Sequence, residues 1–281
     1  MRPSEPVCNL CGGQRFKIRE EAEPPFKLLQ CLDCGLVFVH PFPETAGLSE
    51  HYDESYYKEW MGVQKEKRIG MWEKRLKRLE THCPKGRLLD VGCGNGAFLE
   101  LAQKSGWTVT GTEYSPYAAG YVKDNLVPDV FQGELFDAGY KDASFDAVTM
   151  WHVLEHVTDP KRYLKEVCRL LKPSGLLLLA VPNVNDYVMQ AAYTVARFRR
   201  PRLFSAHDRE VHLFHFSART IKALVEAAGF SCAGIGPDNG IVQPVKKIIN
   251  LVASIPYYLF GIKVFNAIEV HAVKNSDERS S

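Results

Sequence analysis

The stretch Leu88-Leu89-Asp90-Val91-Gly92-Cys93-Gly94-Asn95-Gly96-Ala97-Phe98 governs the reading of this 281-residue chain. Its first four residues make an apolar strand with one acid near its end, and residues 97–105 carry helical spacing. Gly92, Gly94 and Gly96 fill the turn between them. A ligand that approaches a backbone this closely collides with any Cβ, and the helix behind the turn presents free N–H groups to an electronegative partner. Strand, glycine turn and helix in that order predict a cofactor-binding turn.

Outward from this turn, strands and helices alternate. A strand is predicted over 108–112, and Ser115-Pro116 starts a helix that runs to about Asn125. Strands follow over 129–132 and 145–150. Asp159-Pro160 caps a helix closed by Pro173-Ser174-Gly175, and 176–181 is a continuous apolar run of the kind buried on both sheet faces. Ser217 starts a helix that ends at Gly229, followed by strands FSCAGI and IEVHAV. The pattern predicts a doubly wound, mostly parallel, Rossmann-like α/β sheet. Upstream, 65–82 reads as an amphipathic helix with Ile69, Trp72, Leu76 and Leu79 on one stripe.

The glycines also fit the looser dinucleotide pattern G-x-G-x-x-G/A, so they alone admit NAD. Asp90 argues otherwise, since a carboxylate in front of the turn repels a pyrophosphate and suits a ligand carrying ammonium and sulfonium charge. Glu113, ending the next strand, can accept ribose hydroxyls in either case.

DVGCGNG, TGTEYSP, SFDAVTMWHVLEHVTDP and LLKPSGLLLLAVPN follow in this order, and the set resembles class I methyltransferases that use S-adenosylmethionine. The resemblance covers residues 88–183 closely and continues more loosely through HLFHFSARTIKALVEAAGF. It implies that Asp90, Gly92, Cys93, Gly94 and Gly96 line the methionine end of S-adenosylmethionine. By the same resemblance Glu113 holds the ribose, Tyr114 flanks the adenine, Glu134 and Leu135 meet its edge, and Trp151 borders the methionine. The family usually has glycine where Ser174 stands.

Ligands of open α/β sheets bind beyond the carboxyl ends of the strands, which places His152, Glu155 and His156 near the transferred methyl group. Methyl transfer from a sulfonium is an in-line displacement that needs alignment and, for a hydroxyl or carbon acid, a base. Histidine titrates in the right range. Glu155 is equally readable as a structural pin for the following loop. HDREVHLFHFS adds His207, His212 and His215; the interleaved Leu213, Phe214 and Phe216 favour a packed loop over the pocket, with His212 facing the acceptor, over a second metal site.

Cys8-x-x-Cys11 and Cys31-x-x-Cys34 are nineteen residues apart, and glycine follows each pair. Two such knuckles supply four thiolates to one tetrahedral ion, so structural zinc is expected at Cys8, Cys11, Cys31 and Cys34. A CxxC…CxxCG module ahead of this core resembles bacterial methyltransferases, some of which act on nucleotide sugars. The expected organisation is a zinc-ribbon-like module over 1–40, a connector and helix over 41–84, and a methyltransferase domain over 85–281 with lid inserts near 183–216 and 241–262.

Composition is that of a globular chain, 46% hydrophobic and 24% charged with net charge +2, and carries no strong nucleic-acid signal. The start has no apolar h-region, no run reaches the ~18–20 apolar residues of a membrane span, and the cysteine usage suits a reducing cytoplasm. The arginines at 197, 199, 200 and 202 and the apolar stretch VKKIINLVASIPYYLFGIKVF read as a cap over the substrate, or as a lid touching an anionic membrane. The expected activity is methyl transfer to a small or lipid-like acceptor, at oxygen or carbon of a sugar, nucleotide sugar or related metabolite. The alternatives are an RNA or protein methyltransferase that docks through the zinc module, and a non-catalytic S-adenosylmethionine- and zinc-binding module.

Overall fold

Cap chemistry written into the sequence starts the helices where expected. Ser115 accepts the Ala118 N–H ahead of Pro116, Asp159 accepts that of Arg162 ahead of Pro160, and Ser217 and Thr220 form a reciprocal capping box. The computed structural model describes residues 5–43, 57, 63–127, 129–208, 210–238, 240 and 244–276. The aromatic connector expected over 41–60 lies outside them, apart from 41–43 and Tyr57.

In chain order the elements are β1 (Phe16–Glu21), β2 (Lys27–Cys31), β3 (Val37–His40), α1 (Val63–His82), β4 (Arg87–Val91), α2 (Ala97–Ser105), β5 (Thr108–Glu113), α3 (Pro116–Asn125), β6 (Val130–Gln132) and β7 (Phe145–Trp151). They continue with α4 (Pro160–Leu170), β8 (Leu171–Pro182), α5 (Tyr187–Arg197), β9 (Phe214–His215), α6 (Ala218–Ala227), β10 (Phe230–Pro237), α7 (Pro244–Phe260) and β11 (Ala267–Lys274). A seven-stranded sheet has the order β10-β11-β8-β7-β4-β5-β6, parallel except that β11 runs against both neighbours. The strand order reverses between β4 and β7, which makes their carboxyl ends the topological switch point where such sheets bind ligands.

Successive residues of the central strands feed two cores. Leu88, Leu178 and Ala180 pack with Leu76, Leu79, Phe98 and Leu99 of α1 and α2 on one face. Leu89, Leu177 and Leu179 pack with Leu164, Val167, Ile221 and Leu224 of α4 and α6 on the other. Leu28, Leu36, Val37, Phe38 and Val39 of the N-terminal module join that second core.

Two elements differ from the sequence expectation. The segment read as a lid contributes β9, which pairs antiparallel with β3 and becomes the fourth strand of the N-terminal sheet β1-β2-β3-β9. The partner of a two-residue strand lies in a remote segment, so no local pattern announces it. Pro173-Ser174-Gly175, expected as a helix-closing turn, instead form with Lys172 a bulge at the start of β8, where the register on β7 jumps from Phe145↔Leu171 to Ala147↔Leu176.

Candidate active site

The glycine turn is built by its neighbours as much as for a ligand. Gly92, Gly94 and Gly96 all have positive φ. A Cβ on Gly92 would lie 2.6 Å from Val153 Cγ2, and one on Gly96 would lie 2.7 Å from Val122 Cγ1. Those two positions are glycine because the protein itself fills the space. Gly94 differs, because its nearest neighbour to a built Cβ is the Tyr57 ring at 3.9 Å. Cys93 presents only its backbone at the turn. Its thiol turns into the core above Gly111, its N–H donates to the Thr112 carbonyl, and its own carbonyl accepts from Gly96.

Two acids stand under and beside the turn. Asp90 is 1% exposed and accepts the Thr149 hydroxyl at 2.6 Å; burial lifts its pKa to about 7. Glu113 accepts the N–H groups of Gly94 and Ser115, each at 2.8 Å, and burial again raises its pKa. It therefore orders the turn while its Oε2 keeps one acceptor site. Tyr114 and Glu134 are exposed at the same strand edge, whereas Leu135 is buried in the core and offers no free side chain. Trp151 ends β7, packed edge-on against Phe98 and Trp72, and its indole N–H is a buried donor without a protein acceptor.

Arg75 and Asp238 join this edge although neither was singled out in the sequence. Arg75 reaches from α1 to lie over the rings of Trp72 and Trp151, at 4.9 and 4.3 Å, and pairs with Asp238 just beyond β10. An arginine three residues after Trp72 on the apolar stripe of α1 was the available signal; Asp238-Asn239-Gly240 reads locally as a turn.

Beyond β7 the expected histidines converge. His152 holds a left-handed backbone conformation, φ 58°, and contacts Asp238 Oδ2 and Glu155 Oε1, both at 3.4 Å. Burial opposes its charge, yet the carboxylates of Asp238 and Glu155 beside it outweigh that and hold its pKa up at about 9. Glu155 is fully buried. Burial would raise its pKa, but His152, His156 and His212 bring it down to about 2. His212 comes within ring contact of His156, 4.9 Å between centroids, and burial lowers its pKa to about 4. His215 belongs to β9 and packs with the N-terminal sheet, while His207 lies in an exposed turn.

Cys8, Cys11, Cys31 and Cys34 also meet. Cys8 Sγ lies 3.5 Å from Cys34 Sγ, and Cys11 Sγ lies 3.6 Å from Cys31 Sγ. A tetrahedron of 2.3 Å zinc–sulfur bonds has edges of about 3.8 Å, so the four sulfurs could hold one ion. The knuckle docks on the start of α4, where Asn9 Nδ2 donates to Asp159 and the Lys161 N–H donates to Asn9.

Residues 64–233 match the methyltransferase domain family. The chain belongs to that family. A probable S-adenosylmethionine-dependent methyltransferase of Mycolicibacterium smegmatis is 29% identical over 154 residues, 54% of this chain and 55% of that protein. A ubiquinone biosynthesis O-methyltransferase of Coxiella burnetii is 36% identical over 118 residues, 40% of this chain and 50% of that protein. The chain thus spans about half the length of these relatives. Among solved structures, an S-adenosylmethionine-dependent methyltransferase from Thermotoga maritima superposes with TM-score 0.55 at 21% identity, covering 79% of this chain and 96% of that one. One from Archaeoglobus fulgidus gives 0.51 at 17% identity, with 79% and 100% covered. At these identities the structures establish a shared methyltransferase fold.

Proposed function

We propose that this methyltransferase-family chain moves a methyl group from S-adenosylmethionine to a small or lipid-like acceptor, at oxygen or carbon of a sugar or related metabolite. The observation that carries the reading is the junction of two half-sites. Val153 packs against Gly92 of the cofactor turn, and its neighbour His152 opens the cluster with Glu155, His156 and His212. The residues fit the donor: space above Gly94, the buried Asp90 carboxyl, and the unpartnered Trp151 N–H all suit a ligand with cationic and carboxylate groups. Bound S-adenosylmethionine supplies an electrophilic methyl carbon on a sulfonium. Asp90 favours the cationic end, Glu113 offers its remaining acceptor site to a ribose hydroxyl, and Tyr114 and Glu134 border the adenine.

On the acceptor side His152, held as imidazolium by Asp238 and Glu155, is a poor base; it is suited to steadying negative charge on the acceptor. His212 is a pocket residue. Transfer of labelled methyl to extract fractions of metabolites, lipids, RNA and protein tests the reading, alongside calorimetry with S-adenosylmethionine and NAD. Label should enter the metabolite or lipid fraction, and His212→Ala should lower transfer. Label confined to RNA or protein supports the docking alternative, and a chain that binds no S-adenosylmethionine overturns the proposal.

Zinc on the four cysteines serves structure in this reading. A closed set of four thiolates keeps no open position, and the module braces the core through the β3–β9 pairing and Asn9.

Beside a cap over the substrate, the second reading of the α5 and α7 surface is contact with an anionic membrane that would present a lipid-like acceptor. Helices α5 and α7 pack together and expose Val195, Phe198, Leu251, Tyr258, Leu259 and Phe260, beside the exposed Arg197, Arg199 and Arg200. Among the described residues no helix is long and apolar enough to cross a membrane, so docking would be in-plane. Co-sedimentation with anionic vesicles at low and high salt tests it, and no binding at either ends the idea.

A further inference from the structure

The geometry points to a divalent transition-metal site formed by Glu155, His156 and His212, separate from the cysteine cluster. The inference rests on the acceptor-site reading above and gives that site its working ion.

Glu155 is 0% exposed, and neither carboxylate oxygen accepts a well-formed hydrogen bond. A buried carboxylate without such bonds demands positive charge nearby. His152 supplies some on one side, with Nδ1 at 3.4 Å from Oε1. His156 and His212 also lie against this carboxylate.

The His156 tautomer follows from its other nitrogen. Nδ1 lies 2.9 Å from the Val211 carbonyl oxygen, so Nδ1 carries the proton and donates it. Nε2 is then the nitrogen that faces Glu155 Oε1, 4.0 Å away. That separation is too long for a hydrogen bond and about 0.6 Å wider than the ~3.4 Å edge of a tetrahedron of ~2.1 Å bonds, so a small side-chain closure would bring both atoms onto one ion. His212 brings a third ligand atom, and all three lie within 4.8 Å of one another.

The backbone that carries the ligands is also held in place before any ion arrives. The N–H groups of Leu213 and Phe214 both donate to the Glu155 carbonyl, at 2.8 and 3.1 Å, tying the His212 segment to the turn after β7. A ring N–H on a backbone carbonyl is the support that metal-bound histidines use. Two imidazoles and one carboxylate suit zinc, manganese or ferrous iron better than magnesium or calcium. Three protein ligands leave open positions beside the transfer site. An acceptor with two neighbouring oxygens, such as a vicinal diol or a hydroxy acid, could occupy them and present one oxygen for methylation.

Zinc itself is the probe. The full chain, dialysed against zinc and then zinc-free buffer, should retain about two ions by mass spectrometry, one here and one on the cysteines. Glu155→Gln and His212→Ala should each lose one ion, or weaken it by about tenfold or more in chelator competition. Should Glu155→Gln fail to fold, His212→Gln at a less buried ligand carries the test. Unchanged zinc content and affinity in the folded variants overturns the site, as does a wild type that holds zinc on the cysteines alone. Wild-type affinity for S-adenosylmethionine, measured by calorimetry without zinc exchange, separately tests the underlying functional reading.

Discussion

Nη2 of Arg75 lies 2.7 Å from Oδ2 of Asp238, and both side chains are almost wholly buried. The pair ties α1 to the end of β10 across 163 positions of sequence. It also sets the charge facing His152, since Asp238 contacts that ring.

Removing one partner leaves the other charge stranded. Arg75→Ala should cost about 3–5 kcal/mol in urea unfolding. Replacing both, Arg75→Met with Asp238→Asn, should cost clearly less, because no buried charge remains. Equal losses in the two would show that packing on Trp72 and Trp151, rather than the ion pair, dominates.

The three turn glycines should separate on mutation. Gly96→Ala drives a Cβ to within 2.7 Å of Val122, so its main effect should be a loss of about 1–3 kcal/mol of stability. Gly94→Ala meets only the Tyr57 ring at 3.9 Å. It should lose about 1–2 kcal/mol to its left-handed backbone, and lose S-adenosylmethionine affinity beyond what that strain explains. Thermal unfolding with calorimetric titration distinguishes the two patterns.

Ser174 occupies a position with φ 61° in an exposed bulge. Left-handed backbone costs a non-glycine residue about 1–2 kcal/mol, against about 0.5–1 kcal/mol for the extra entropy that glycine loses on folding. Ser174→Gly should therefore raise stability by roughly 0.5–1 kcal/mol, read as a higher melting temperature with unchanged activity.

Asp90 makes both stability and cofactor binding depend on pH. Its folded pKa, about 7, lies above the ordinary aspartate value. Its contribution is therefore complete below about pH 4 and is lost as pH rises through about 7. Asp90→Asn should flatten stability over that window. A cationic ligand favours the carboxylate, so S-adenosylmethionine binding near pH 7 should release a proton and tighten as pH rises. Calorimetry in buffers of different ionisation enthalpy measures the release; identical heats in all buffers would count against it.

Much of the fold was readable because its signals are local. Caps at Ser115, Asp159 and Ser217, the apolar run at 176–181 and the glycine turn each report on a few neighbouring residues. So do the paired cysteines, whose sulfurs gather as their spacing predicts. The acceptor side was only partly readable. Glu155, His156 and His212 stood out as residue types, but their common focus depends on the 211–214 segment returning to the turn after β7.

The sequence by itself therefore determined the parallel α/β order, the position of the glycine turn and the pairing of the N-terminal cysteines, since periodicity, turn chemistry and short spacing are short-range properties. Tertiary structure alone decided that the segment over 214–215 completes the N-terminal sheet, that Arg75 meets Asp238, and that carboxylates raise the pKa of His152 while burial lowers that of His212. Those outcomes hinge on desolvation and on which distant segment supplies the neighbouring charge. No local pattern in the chain encodes either.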